Sequence, residues 1–377
     1  MQRSSERILT THTGSLPRPT ALEQAMIAEL EGREVAGVDD LIVASVTEVV
    51  ARQKSAGVDI ISDGEVSKPS YATYVSDRLE GFGGESDAMV IGDLVDYPET
   101  AAALLQDPGF SHMQQPACIG PVSARSTDAV NRDIAVLREA MKKEDLTAAF
   151  MTAASPGTIS MFFQNQFYPS QEEYLKALAD AMRPEYEAIV GSGLTLQIDC
   201  PDLGCGHVLY PGKSVDEVKS LLPMHVEVIN EALRGLPPES IRAHVCWGNY
   251  EGPHHLDVDL REIAATLLGL NVSGLLVEGA NPRHEHEWQV WEDVPLPDDK
   301  VLIPGVVDTT NNYIEHPELV AQRIERYAKV VGRERVLAGS DCGFGTLVGM
   351  RATAPSIAWA KLETKAEGAR LASSRLW

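Results

Sequence analysis

The run Ile241-Arg242-Ala243-His244-Val245-Cys246-Trp247 carries two residues able to do chemistry inside an otherwise apolar strand-like stretch. In a strand, side chains at i and i+2 point to the same face, so His244 and Cys246 are presented side by side. An imidazole and a thiolate so placed are good zinc ligands. Taken alone, the pair is also what an ordinary buried strand carries, because Cys and His are readily buried. Two further residues add to it. Glu278 follows the apolar run Gly274-Leu275-Leu276-Val277, and Cys342 follows Val336-Leu337-Ala338-Gly339. One nitrogen, two sulfurs and one oxygen donor thus stand at the ends of three separate apolar runs.

Zinc held by two thiolates, an imidazole and a carboxylate carries excess negative ligand charge, and its carboxylate is displaceable. A substrate thiol entering such a site loses its proton, since a metal-coordinated thiol is deprotonated outright. That yields a thiolate nucleophile at neutral pH, positioned beside an electrophile. The chemistry suits alkyl transfer to sulfur better than hydrolysis, which favours His- and carboxylate-rich ligation with an open water position.

The elements that must position these residues alternate along the chain. Strand-like runs at Ile8–Ser15, Val58–Ser62, Ala148–Ala154, Leu194–Asp199, Ile241–Trp247, Gly274–Val277, Val301–Val307 and Val336–Gly339 are separated by amphipathic helical patterns. Helices are expected over Asp40–Ala56, Asp128–Lys143, Gln171–Val190, Val215–Leu233, Asp257–Leu268 and from Pro317 to near Gly332, where proline at the first turn and glycine at C′ are in place. Eight strands alternating with helices predict an α/β fold, a single (β/α)₈ TIM barrel over 1–377. An insertion at about 68–145, after the second strand, breaks the rhythm and could serve as a lid. Barrel chemistry lies at the C-terminal strand ends. Gly14-Ser15, Asp63-Gly64-Glu65, Asp199, His244, Cys246, Glu278, Asp308 and Cys342 all fall there. No glycine-rich dinucleotide fingerprint or phosphate loop follows a strand.

Composition narrows the function classes. The 377 residues are 44% hydrophobic and 23% charged, as in a soluble globular protein, and the formal net charge of −23 argues against nucleic acid or an anionic membrane as partner. No apolar stretch reaches the ~20 residues that span a bilayer. Met1–Arg7 leads into no apolar core, so no secretory signal is expected. Five scattered cysteines, an odd number, do not form a disulfide framework and point to a reducing, cytoplasmic setting.

Other clusters read more plainly. Cys200-x₄-Cys205-x-His207 lacks the second close pair of a zinc finger, and His284-Glu285-His286-Glu287 reads as a solvated turn because neighbouring residues do not share a helix face. His254-His255 is by default a surface loop, with proton transfer as its functional alternative. Arg18, Lys68, Arg283 and Arg351 are candidates for holding an anionic substrate group.

His244-x-Cys246, Glu278 and Cys342 within Ser340-Asp341-Cys342-Gly343 resemble the zinc site of the cobalamin-independent methionine synthases, in their C-terminal catalytic barrel. Thr13-Gly14-Ser15-Leu16-Pro17, Asp63-Gly64-Glu65, Leu196-Gln197-Ile198-Asp199-x-Pro201 and Gly305-Val306-Val307-Asp308 are similar to further motifs of that family, so the resemblance spans nearly the whole chain. It implies Zn²⁺ as cofactor. It also implies that Ser15, Glu65 and Asp308 hold the amino-acid part of a homocysteine-like thiol, with Gly14 and Asp199 in the substrate site and Asp308 and Glu65 as catalytic groups. The expected reaction is methyl transfer to homocysteine. The donor classes are methyl-folate, methyl-corrinoid or, as in the single-barrel epoxyalkane–coenzyme M transferases, an epoxide opened by a small thiol. A metal-free uroporphyrinogen-decarboxylase-like barrel and a non-catalytic binding barrel are the readings from other classes. The chain departs from the family in two places. Thr310 stands two positions after Asp308, where those synthases have a histidine regarded as proton donor to the leaving group, and Asp199-Cys200-Pro201-Asp202 replaces an acidic-Pro-Ala pattern.

Overall fold

The computed structural model describes residues 1–87, 89–107, 115–350 and 352–377. Among them nine strands form: β1 (Leu9–Thr10), β2 (Leu79–Gly83), β3 (Ala117–Ala124), β4 (Phe150–Ala154), β5 (Thr195–Asp199), β6 (Ile241–Val245), β7 (Gly274–Val277), β8 (Val301–Pro304) and β9 (Leu337–Ala338). Strands β4 to β8 make a parallel five-stranded sheet in sequence order, with Asp199 in register with His244 and Val245 with Val277. Strand β1 pairs in parallel with β9. Single parallel bridges Leu302↔Val336 and Gly305↔Gly339 join β8 to the β9 segment, and Ile61↔Ala149 joins residues 60–61 to the start of β4. The fold is α/β, built on parallel pairing. Strands β4 to β8 are buried along their whole length. That explains their near-continuous apolar runs, since a parallel sheet with both faces covered has no solvent face.

The helices fall close to where their periodicity puts them. Asp128–Lys143 is as expected, Pro317–Val331 ends against Gly332, Gln171–Gly191 runs on through Pro184, and Val215–Ala232 opens with a Ser214/Glu217 capping box. The second expected strand differs. Residues 58–62 contribute only the bridge at Ile61: the Asp59 and Ile60 N–H groups donate to the Thr10 carbonyl at 3.1 and 3.0 Å, but the Thr10 N–H is taken by the Asp59 side chain in place of a backbone carbonyl. Its Oδ2 accepts from the Thr10 N–H at 2.8 Å, and its carboxylate pairs with Arg7.

Within the 68–145 segment, β2 and β3 pair antiparallel, and short helices at Gly92–Val95 and Pro98–Leu104 precede the helix 128–143. The short helices are tied down across the chain. Asp93 Oδ2 accepts from the Tyr250 hydroxyl and from the His254 N–H at 2.9 Å, and Asp96 meets His255 at 2.9 Å. No helix among the described residues is long and apolar enough to cross a membrane.

Beneath the strand ends lies a layer of buried polar groups. The guanidinium of Arg242 stacks 3.5 Å over the Phe150 ring and donates to Gln197 Oε1 (2.8 Å), Thr11 Oγ1 (3.0 Å) and the His12 carbonyl (2.9 Å). Each of its three nitrogens has an acceptor, as burial of a cation requires. Gln197 in turn donates to the Thr13 carbonyl and to Asp199 Oδ1, linking this layer to the site above.

Candidate active site

A cavity opens at the C-terminal ends of β1, β5, β6 and β9. Its floor holds Ser15, Glu65, Asp199, His244, Cys246 and Cys342. Ligand atoms of His244, Cys246 and Cys342 all lie within 4.8 Å of one another, the one group of this kind among the described residues. His244 and Cys246 arrive from the end of β6, side by side as period two dictates, and Cys342 from the turn after β9.

The surrounding bonds aim these side chains. His244 Nδ1 lies 3.3 Å from Asp199 Oδ1. Donation there would give Nε2, which faces the Asp341 carbonyl at 3.3 Å, a lone pair for a metal, the usual carboxylate–histidine arrangement of zinc sites. Asp341 fixes the Cys342 turn: its carboxylate accepts the N–H groups of Gly279 and Ala280 at 2.9 Å and of Asn281 at 2.6 Å, stitching the β7 and β9 ends together. Ser340 Oγ donates to the Cys342 carbonyl at 2.9 Å, and Thr13 Oγ1 donates to the Ser340 carbonyl at 2.7 Å.

The hydrogen bond from Cys342 draws the Cys246 thiol well below its ordinary value, with His244 adding to the effect, while the same bond and burial push Cys342 up. Glu278 is buried beside them, but its oxygens are engaged: Oε1 accepts from the Trp247 N–H at 2.9 Å and Oε2 from the Asn281 amide at 3.0 Å. Burial raises its carboxyl to about 7.

On the other side of the floor, Glu65 holds a left-handed backbone (φ 55°), uncommon for a side chain with Cβ and characteristic of functional sites. Its Oε2 is buried without a hydrogen-bond partner. Burial, and then the charge of Asp199, raise its carboxyl to about 7. Gly14 makes room for it: a Cβ there would stand 2.2 Å from Glu65 Oε1 and 2.9 Å from the Thr152 methyl. A Cβ on Gly343 would likewise sit 1.9 Å from Ser15 Oγ. Two carboxylates facing one small space, one with a free oxygen, form a receptor for an ammonium group.

Asp308 is placed differently. Its Oδ1 accepts from Thr310 N (2.6 Å) and Oγ1 (2.8 Å), and it is not among the residues lining the cavity. Three of the basic residues considered for an anionic group are also turned away. Arg18 donates to the carbonyls of Gly345 and Lys68 at 2.6 Å, Lys68 Nζ donates to the Thr152 carbonyl at 2.7 Å, and Arg283 sits at the surface near His255. Arg351 lies outside the described residues.

Within the His284–Glu287 stretch, read as a solvated turn, His284 and Glu287 are buried while His286 is exposed, and His254 is buried too. Asp257 Oδ2 meets His254 Nδ1 at 2.8 Å and His284 Nε2 at 3.0 Å, and His284 Nδ1 meets Glu287 at 2.8 Å. Burial works against protonating these rings, but the carboxylates outweigh it and hold His254 at about 9 and His284 at about 10. His284 stacks on Trp247 at 4.1 Å, buttressing the turn after Cys246. Cys200, Cys205 and His207 do not converge as a metal cluster among the described residues.

Sequence reasoning missed the upper wall of the cavity. Tyr71, Met89 and Ile91 come from the 68–145 segment, and Met161, Phe162, Leu347 and Met350 complete it. No periodicity or motif announces them; only the apolar character of Met89 and Ile91 in an irregular stretch hints at burial.

The sequence model of the cobalamin-independent synthase catalytic domain matches residues 8–360. The methionine synthase of Saccharolobus solfataricus is 24% identical over 373 residues, covering 97% of this chain and 95% of that protein. That of Sulfolobus acidocaldarius is 22% identical, covering 90% and 86%. Among solved structures, a B12-independent methionine synthase from Shewanella sp. W3-18-1, in complex with selenomethionine, superposes with a TM-score of 0.75 at 20% identity, covering 98% of this chain and 99% of that one. A putative B12-independent methionine synthase from Listeria monocytogenes gives 0.67 at 20% identity, again over 98% and 99%. These neighbours share the fold. Matched from residue 8 to residue 360, the chain belongs to the family of cobalamin-independent synthase catalytic domains and is an enzyme of that family.

Proposed function

We propose that this enzyme is a zinc-dependent methyltransferase that transfers a methyl group to the sulfur of homocysteine, giving methionine. The observation that carries the reading is the convergence of His244, Cys246 and Cys342 within 4.8 Å in the cavity that also holds Ser15, Glu65 and Asp199. His244, Cys246 and Cys342 fit zinc, whose preferred donors are thiolate and imidazole; Glu278, one strand end away and bonded to the Trp247 N–H and the Asn281 amide, would be the fourth ligand. Zinc there supplies one thing, a lowered pKa for an incoming thiol.

The chain's own groups do the rest. Asp199 holds the His244 ring, and Asp341 holds the Cys342 turn. Glu65 and Asp199 receive the ammonium group of the amino acid, Ser15 lies beside them, and Gly14 keeps the space open. This pair of carboxylates favours homocysteine over coenzyme M, whose sulfonate they would repel and for which no cation lines the cavity among the described residues. Asp308 stands outside the cavity wall, its Oδ1 held by Thr310 and its N–H by Glu315, so no contact with the amino acid is assigned to it.

The relatives' names and the family membership support methyl transfer as the reaction. The run of parallel pairings β4 to β8, with the bridges at Ile61, Val336 and Gly339, supports a closed (β/α)₈ barrel with residues 68–145 as an insertion in one catalytic domain. Five free buried cysteines suit a reducing cytoplasm. Substituting Cys342→Ser tests the proposal: zinc and homocysteine methylation are lost together. A zinc-free variant that still methylates homocysteine would end it.

A further inference from the structure

Thr310, two positions after Asp308, is spent on Asp308 and is not among the residues lining the cavity. A leaving group that departs with an electron pair on nitrogen or oxygen still needs a proton. Of the cavity's other hydroxyls, Thr13 donates to the Ser340 carbonyl and Tyr250 to Asp93, while Thr346 accepts from the Asn249 amide and Ser15 from the Gly345 N–H, and these last two are weakly acidic alcohols. Tyr71 differs. Its half-buried ring lines the cavity with Cys246 and Cys342, its N–H is held by the Thr346 carbonyl at 3.4 Å, and its edge packs on Phe162 at 5.9 Å. Its hydroxyl has no hydrogen-bond partner among the described residues, and a phenol is a far stronger acid than the alcohols around it.

We infer that Tyr71 is the catalytic proton donor to the leaving group, so that the alkyl donor is an electrophile whose leaving atom is a basic nitrogen or oxygen. The step balances. The substrate sulfur forms a bond to the alkyl carbon, the bond from that carbon to nitrogen or oxygen breaks, and the electron pair left on that atom takes the phenolic proton. The phenolate then regains a proton from water at the cavity mouth. A sulfonium or corrinoid donor, whose leaving group departs without a proton, gains nothing from this residue.

This inference rests on the thiol-activating function proposed above, and two surrogate electrophiles separate the two claims. Zinc-loaded protein with bound homocysteine is alkylated by iodomethane, whose iodide needs no proton, and by epoxypropane, whose alkoxide does. In Tyr71→Phe the epoxide-to-iodomethane rate ratio falls on the order of a hundred-fold, while zinc stoichiometry and homocysteine affinity hold. An unchanged ratio, with both rates kept or both lowered alike, overturns the role of Tyr71. If wild-type protein does not accelerate iodomethane alkylation over free homocysteine, thiol activation itself fails and the role of Tyr71 falls with it.

Discussion

Removing the Asp199 carboxylate should weaken zinc binding without dismantling the site. Both of its contacts run through one oxygen: Oδ1 accepts from Gln197 at 2.7 Å and faces His244 Nδ1 at 3.3 Å. In Asp199→Ala the imidazole loses the acceptor that fixes its tautomer and orientation. Loss of such a partner typically costs about 10- to 100-fold in metal affinity, or about 1.4–2.8 kcal/mol. In Asp199→Asn an amide oxygen can stand where Oδ1 was, so both hydrogen bonds survive and only the charge is lost; the affinity drop is smaller than in the alanine variant. The fold tolerates either change, because Gln197 keeps its bond to the Thr13 carbonyl and Arg242 keeps Gln197 Oε1. Competition with a chromophoric chelator on the apo protein measures the affinities. If the alanine variant binds zinc as tightly as wild type while Cys342→Ser does not, His244 is not held by Asp199 and the assignment of its Nε2 to the metal fails.

Other expectations follow from the same geometry. Glu65 titrates at about 7 in the folded protein against 4.5 unfolded, so it stabilises the empty fold below pH 4.5 and that contribution is lost as pH rises through 7. The ionised form is the one that takes an ammonium group. Calorimetry with methionine, which has no titrating thiol, should therefore show affinity rising with pH through about 7 and then levelling, with the slope abolished in Glu65→Gln; a flat wild-type profile would contradict this. Gly14→Ala drives a methyl group into Glu65 Oε1 and should cut methionine affinity by at least about tenfold, the equivalent of about 1.4 kcal/mol, with zinc content intact. Asp93→Ala leaves Tyr250 and the His254 N–H without their shared acceptor, costing about 1–3 kcal/mol; limited proteolysis should then cut within residues 92–104 faster than in wild type, and equal rates would mean that Asp93 does not pin this segment.

What was legible in the sequence depended on how local the determinant is. The His244/Cys246 pair could be read because strand periodicity alone puts both on one face. The helices at 128–143 and 317–331 carry their own apolar stripes, and the second has its proline and glycine boundaries. The run at 58–62 reads as a strand, but the Asp59 side chain takes the Thr10 N–H that a backbone carbonyl would take in a regular ladder, which periodicity does not show. His284 and Glu287 looked solvated because the group that buries them, Asp257, is 27 residues away from His284. Asp341 was in view only as the neighbour of Cys342. Its role depends on three N–H groups about 60 residues distant, which no spacing rule reaches. Tyr71, Met89 and Ile91 belong to a segment without periodicity, and only the tertiary fold brings them over the strand ends.

The central claim is that this site activates a thiol. X-ray absorption at the zinc edge, with and without homocysteine, tests it most directly. The account predicts stoichiometric zinc with two sulfur neighbours, from Cys246 and Cys342, rising to three when homocysteine is added. Zinc whose sulfur count stays the same would make the metal structural and contradict the account.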